Sequence, residues 1–303
     1  MNTKNQSPRF EPDAIAFLDE AGLAAKVRNL TKDHDGQIGL VAALMLPTAD
    51  VDYWQNVFRE PFESFKAAAP PKTKLHITDA FRSGNDNWAK TASQSREEIY
   101  ELVKANSLYV TYLAREASVA RRSHQMMQQH IDRCESENSS NISVSRHPSN
   151  TRVVSQCYQG LVSTIDIMAK AFGRQHIALF SDEIENIVLN NMEVQADRLR
   201  NISRREQELT AFDKQQKKII KRRIISSTDF QGIDVTRVST ITKVGKSSSL
   251  AFAIDVIANS LLHHLQQHSV GTSLNTLKSV EGWQLAGCVF APPNGCYDIY
   301  SKI

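Results

Sequence analysis

Carboxylates occur in this chain where apolar surroundings make them costly. Asp19-Glu20 closes the apolar run Ala14-Ile15-Ala16-Phe17-Leu18, and the turn residue Gly22 follows. Asp182-Glu183 closes a second run, His176-Ile177-Ala178-Leu179-Phe180, after Ser181. Asp255 interrupts LAFAIDVIANSLL, a segment otherwise composed like a core helix. Adjacent carboxylates repel, and a lone ionised Asp in an apolar setting is expensive to bury without a partner. A hard divalent cation meets both demands, because it takes oxygen ligands and neutralises their charge. Mg²⁺ or Mn²⁺ held by Asp19, Asp182 and Asp255 would activate water and stabilise the leaving oxygen in phosphodiester hydrolysis. Glu20 or Glu183 would serve as a further ligand or an outer base. The plainer alternatives are that Glu20 opens a solvated turn, that Asp19 caps the next segment, and that Asp255 faces water or pairs with a Lys or Arg.

Other side chains bear on the same chemistry. His76, in KLHITDAF at 74–81, is a candidate proton shuttle, weak metal ligand or outer hydrogen-bonding group. Its alternative is a histidine hydrogen-bonded at a strand edge. Asp79, three residues on, is a weaker candidate. KQQKKIIKRR, Lys214 to Arg223, is the strongest basic cluster. Its Lys217, Lys218, Lys221, Arg222 and Arg223 are candidates for tracking nucleic-acid phosphates, against a solvated helix face. Cys134, Cys157, Cys288 and Cys296 are widely spaced and form no CxxC pair, which predicts separate reduced thiols rather than a zinc site or disulfide framework.

The elements that position these residues follow from periodicity. Ala14 to Leu18, Ile38 to Leu46 and 176–180 read as buried strands, the first ending at Asp19 and the second stopped by Pro47. Residues 107–113 and 235–244 read as further strands. Asp50 to Ala69 is helical in period with a break at Pro61, and 74–81 reads as extended. Helices are predicted at 94–105, 116–137, 153–172 with Gly173 as its stop, 184–207 and 250–268. Residues 284–291 and 296–300 read as strand-like. The Ser- and Asn-rich stretch 134–151 reads as an exposed insertion loop, and 1–13 as a disordered lead-in before one domain spanning 14–303. Mixed strands and helices of this kind predict an α/β fold. With 303 residues, 41% hydrophobic, 23% charged and net charge +3, the composition is that of a globular protein with a mildly basic balance. It is compatible with a polyanionic partner without demanding one. The absence of an apolar leader and of a run of about 18 apolar residues predicts a cytoplasmic location and no membrane partner.

In order along the chain, FLDEAG, KLHITDAF, IALFSDE and KSSSLAFAIDVIANSL resemble the motifs of the domain-of-unknown-function 3800 family of bacterial and phage proteins. The resemblance spans roughly Ile15 to Leu265. It implies an RNase H-like mixed sheet flanked by helices and a metal-dependent nuclease, with phage defence as a setting. Asp19 and Glu20 match the family's early Asp-Glu, His76 its histidine, Asp182 its strand-end Asp and Asp255 its late helical Asp. Ala21 stands where the family usually has Ser, Lys74 where an acid is common, and Phe252 and Ile254 where Gln and Ala are usual. The Lys74 and Phe252 departures remove polar groups from the surroundings of such a site. They favour the alternative of a non-catalytic module that binds nucleic acid or a partner protein.

Overall fold

The computed structural model describes residues 11–137, 142–144, 152–182, 186, 188–190, 192–193, 205–213, 218–226, 238–244, 248–268 and 274–290. Strands β1 (Ala14–Gly22), β2 (Ile38–Leu46) and β3 (Tyr109–Glu116) form an antiparallel meander. Beyond β1 the sheet continues with β4 (Ile142–Val144) excluded and with β5 (Ile177–Asp182) parallel to β1. Strands β6 (Arg205–Asp213) and β7 (Lys218–Ser226) pair with β4 in a separate sheet of order β4-β6-β7. Strand β8 (Val238–Val244) lies parallel to β5 and completes the five-stranded mixed sheet, in the order β3-β2-β1-β5-β8. β2 carries no charge and is buried at every position, as a strand covered on both faces must be.

The covering helices are α1 (Val51–Val57), α2 (Arg59–Ala68), α3 (Ile77–Arg82), α4 (Asp86–Ala105), α5 (Ala117–Glu137), α6 (Val153–Ala171) and α7 (Ser249–His268). Strand alternation divides β1 between two cores. Ile15, Phe17 and Ala21 pack with Phe65, Trp88, Phe252 and Leu261 from α2, α4 and α7. Ala14, Ala16 and Leu18 pack with Tyr158, Leu161 and Ile165 of α6. Phe17 stacks on Phe180 with ring centroids 5.1 Å apart, and Phe65 on Phe252 at 4.5 Å. The sheet is therefore the middle of three layers, and each large side chain buried against it stabilises the fold by about 1.5–3 kcal/mol.

The outer edge of β3 is occupied by residues 274–290. The Asn275 carboxamide accepts from Ala114 N–H at 2.7 Å and donates to Ala114 C=O at 3.0 Å, in the manner of a neighbouring strand. Tyr112 donates its hydroxyl to Leu274 C=O at 2.8 Å. Such cover removes an edge that would otherwise invite pairing with another chain.

Several predicted elements differ in the structure. β1 does not stop at Asp19: its ladder with β2 continues to Gly22 opposite Gly39. Residues 77–82 are helical rather than extended, with His76 as the N-cap position. α4 starts at Asp86, earlier than predicted, because Asn85 accepts from Trp88 N–H at 3.0 Å and caps it. The α1–α2 break falls at Phe58, and Pro61 occupies the first turn of α2, where its missing N–H has no intrahelical duty. The helix predicted at 184–207 holds helical residues at 186, 188–190 and 192–193, but Arg205 begins β6. The insertion at 134–151 is not wholly loop, since α5 runs to Glu137 and 142–144 form β4, with 138–141 and 145–151 outside the described residues. Residues 286–288 form a 3-10 turn instead of a strand, with a single bridge from Val289 to Val110, and 296–300 lie outside the described residues. The lead-in before residue 11 also lies outside them, but Asp13 is anchored: its carboxylate accepts from Gln175 N–H at 2.9 Å and His176 N–H at 3.1 Å. No helix among the described residues is long and apolar enough to cross a membrane.

Candidate functional site

The same pleat that divides the core also separates Asp19 from Glu20. Asp19 follows the phase of Ile15, Phe17 and Ala21, on the α7 side, and Glu20 that of Ala14, Ala16 and Leu18, on the α6 side. The two carboxylates leave the strand in opposite phases, yet both reach one cavity. Glu20 Oε1 lies 3.1 Å from Arg152 Nη1, and Arg152 is the N-cap residue of α6. Asp19 Oδ1 accepts from Glu20 N–H at 2.8 Å. Below them, the buried Tyr158 hydroxyl stands 3.2 Å from Ser181 Oγ. Burial first, then the negative charges of Glu20 and Asp19, hold its phenol well above the usual range, so it stays protonated.

Asp255 is reached from the opposite layer. α7 is buried at each position from Leu250 to Ala258, and Asp255 lies among them with 7% of its surface exposed. Its Oδ2 accepts from the N–H of Ile77, the first residue of α3, at 2.9 Å. Its Oδ1 accepts from Asn259 Nδ2 at 2.8 Å and faces His76 Nδ1 at 3.6 Å. Neither alternative read from the sequence is seen among the described residues: Asp255 is buried, and no Lys or Arg there pairs with it. Neutral donors and an imidazole hold its charge, and an anion near a helix N-terminus is further favoured by the exposed N–H groups there.

Asp19, Glu20, His76 and Asp255 line one cavity of about 740 Å³. It opens at the carboxyl end of β1, where α/β folds commonly carry ligands. Its other walls include Arg152, Thr78 and Arg82 of α3, and Asn259, His263 and Gln266 of α7. Gly22 belongs to the rim because no other residue fits there: it has φ +87°, and a Cβ would come 2.1 Å from Ile38 C=O. Asp182 ends β5, one residue after Ser181, whose backbone pairs with Leu18 next to Asp19. The Asp182 side chain and all of Glu183 lie outside the described residues. Asp79 is in the first turn of α3 and does not line the cavity.

The basic cluster is elsewhere in the topology. Lys218, Lys221, Arg222 and Arg223 belong to β7, not to a helix, and Lys217 lies outside the described residues. In the register with β6, Arg223 stands opposite Glu208 and Lys218 opposite Asp213. The cluster is thus interleaved with acidic positions and belongs to the sheet that does not carry the cavity.

Several wall residues were not singled out in the sequence. Asn259 and His263 continue the stripe begun by Asp255 at helical spacing, so a polar i, i+4, i+8 series inside an apolar helix was the available signal. Arg152 and Arg82 carried none, because only the packing of α6 and α3 brings them to β1 and α7. Cys157 is not a nucleophile for this site: complete burial pushes its thiol up to about 12, and its Sγ–H points to Gly39 C=O at 3.6 Å. Cys157 and Cys288 carry free thiols.

The donor chemistry suits a hard cation, since Asp19, Glu20 and Asp255 all offer carboxylate oxygens. Among the described residues, no group of three or more His, Cys, Asp or Glu side chains is close enough to hold a metal. The cavity also gathers donors suited to phosphate oxygens in Arg82, Asn259 and Gln266. Comparison with family models, curated proteins and solved structures found no match.

Proposed function

We propose that this protein is a divalent-metal-dependent nuclease that hydrolyses phosphodiester bonds of nucleic acid, built on an RNase H-like core. The observation that carries the reading is the convergence of Asp19, His76 and Asp255, from three elements distant in sequence, on one polar cavity at the carboxyl end of β1. Strand order and direction support the fold assignment, because an antiparallel meander extended past its first strand by parallel strands is the arrangement of such a core. Asp19 and Asp255, together with Asp182, would hold Mg²⁺ or Mn²⁺. When bound there, such cations supply activation of water and stabilisation of the leaving oxygen. Asp255 positions the His76 ring against the cavity wall, and Asn259 fixes the Asp255 carboxylate. Arg82 offers its guanidinium to a substrate phosphate. Glu20, paired with Arg152, would serve as a further ligand or an outer base. A place in phage defence rests on the family resemblance alone.

A specific observation favours a second reading, a non-catalytic module that binds nucleic acid or a partner protein. The Asp255 oxygens already accept from Ile77 and Asn259, so a metal would compete with donors the protein supplies. Calorimetric titration with Mn²⁺, and nicking of DNA and RNA, separate the two in wild type and Asp19→Asn. The nuclease reading expects Mn²⁺ binding and cleavage in wild type, with both sharply reduced in the variant. Nucleic-acid binding without cleavage or Mn²⁺ binding selects the module.

A further inference from the structure

The short helix α3, which supplies two residues to the cavity wall, also carries an aromatic side chain that the core does not use. Phe81 is 47% exposed, although a phenyl ring ordinarily gains by burial. It belongs to α3, one residue before Arg82 and three after Thr78, both of which line the cavity. At that spacing the ring occupies the helix surface next to the cavity wall. The Arg96 guanidinium carbon stands 6.0 Å from the ring centroid, so a cation backs the aromatic surface. Arg82 itself is exposed and lines the cavity. An exposed ring next in the helix to an arginine that lines a polar cavity combines a stacking surface with a phosphate donor, the two requirements of single-stranded nucleic-acid binding.

The size of the cavity points the same way. About 740 Å³ is the scale of a small-molecule site. Asp255 lies deep in that space, with little exposed surface. A nucleotide free of its complement can enter and bring its phosphate past Arg82. A base-paired duplex keeps its bases stacked and presents only its outer backbone. We infer that the substrate is single-stranded nucleic acid, with an unpaired base stacked on Phe81 and the adjoining phosphate held by Arg82. The inference rests on the nucleic-acid reading above and adds the strand state and the residues that read it.

Binding is measured with a fluorescein-labelled mixed-sequence single strand, as DNA and as RNA, and with the matching duplex, all in chelator so that cleavage plays no part. Wild type is expected to prefer the single strand. Phe81→Ala should weaken single-strand binding roughly tenfold while leaving its salt dependence unchanged, and Phe81→Tyr should restore it. Arg82→Gln should weaken binding and lower the salt slope by about 0.7, the value for one phosphate contact on a single strand. Unchanged circular dichroism in each variant excludes unfolding, which an exposed residue is not expected to cause. Equal single-strand affinity in wild type and Phe81→Ala, or a preference for duplex, overturns the inference and leaves the nuclease reading standing. Single-strand binding through Phe81 with no cleavage on adding Mn²⁺ upholds the inference and sinks the nuclease. Absence of binding to any of the probes overturns both.

Discussion

β1 and α7 both deliver carboxylates to the cavity, and they do so on opposite physical terms. On β1 the pleat separates Asp19 from Glu20, and Glu20 has Arg152 as a charged partner in a partly exposed pair. On α7 the Asp255 carboxylate is buried and is held by Ile77 N–H, by Asn259 and by His76. The difference teaches that a charge inside an apolar segment does not by itself require a cation. Backbone and amide donors suffice when their geometry is built in, and the charge then becomes part of the fold. Asp255 ties α7 to α3, whereas Asp19 and Glu20 can change with little effect on the rest of the sheet.

The largest expected effect tests that claim directly. Asp255→Ala leaves the Ile77 N–H and the Asn259 amide without acceptors in a buried site. It should cost about 3 kcal/mol or more in urea denaturation. Asp255→Asn keeps one acceptor but turns an amide N–H₂ toward one of the two donors. It should cost about 2 kcal/mol in chelator. Asp19→Asn, with a partly exposed side chain, should stay within about 0.5 kcal/mol of wild type. If Asp255→Asn melts at or above wild type without metal, relief of carboxylate repulsion dominates, and the contrast between strand and helix collapses.

A smaller effect sharpens the β1 side. The Glu20–Arg152 pair is partly screened by solvent, so a double-mutant cycle of Glu20→Gln and Arg152→Gln should give a coupling of about 1 kcal/mol or less. The coupling should fall with added salt. A coupling above about 3 kcal/mol would place Glu20 in the same class as a buried charge, contrary to the comparison.

The smallest effect uses a carboxylate at the other end of β1. Burial of Asp13 opposes ionisation, but the N–H groups of Gln175 and His176 outweigh it and hold the carboxyl below its usual range. A depressed folded pKa contributes stability above the unfolded pKa of about 3.9, and that contribution is lost as pH falls through the folded value. Asp13→Asn should therefore lose about 1 kcal/mol or less at pH 7, with the difference from wild type vanishing at low pH. A difference that persists unchanged at low pH would mean that the hydrogen bonds, rather than the charge, carry the contribution.

Much of the sheet was legible because period and composition agree there. β2 is an uninterrupted apolar strand bounded by Pro47, and α7 and α6 show helical spacing over about five turns each. Legibility failed where a short polar segment takes its conformation from its neighbours. KLHITDAF has strand-like composition, yet 77–82 coil into a helix whose first N–H meets Asp255 from a segment far along the chain. Likewise, the helix predicted from residue 94 gave no sign that Asn85 would cap it and carry it back to Asp86. KQQKKIIKRR looked like a helical face because a basic run carries no period of its own. Its Ile219-Ile220 and Ile224-Ile225 pairs suit the strand that forms.

The sequence by itself determined the α/β class, the buried central strands, the apolar helix that carries Asp255 and the candidates Asp19, Glu20, His76 and Asp255. These follow from local composition and spacing, which a single chain displays without folding. Only the tertiary structure decided that Asp19 and Glu20 share one cavity with His76 and Asp255, that Arg152 meets Glu20, and that Asp255 is held by Ile77, Asn259 and His76. It also placed Arg82 in the cavity wall, with Phe81 exposed next to it on α3, and the basic cluster in a different sheet. Those outcomes depend on pairing register and on contacts between residues as many as 178 positions apart, and spacing along one chain does not encode which distant donor a carboxylate will meet.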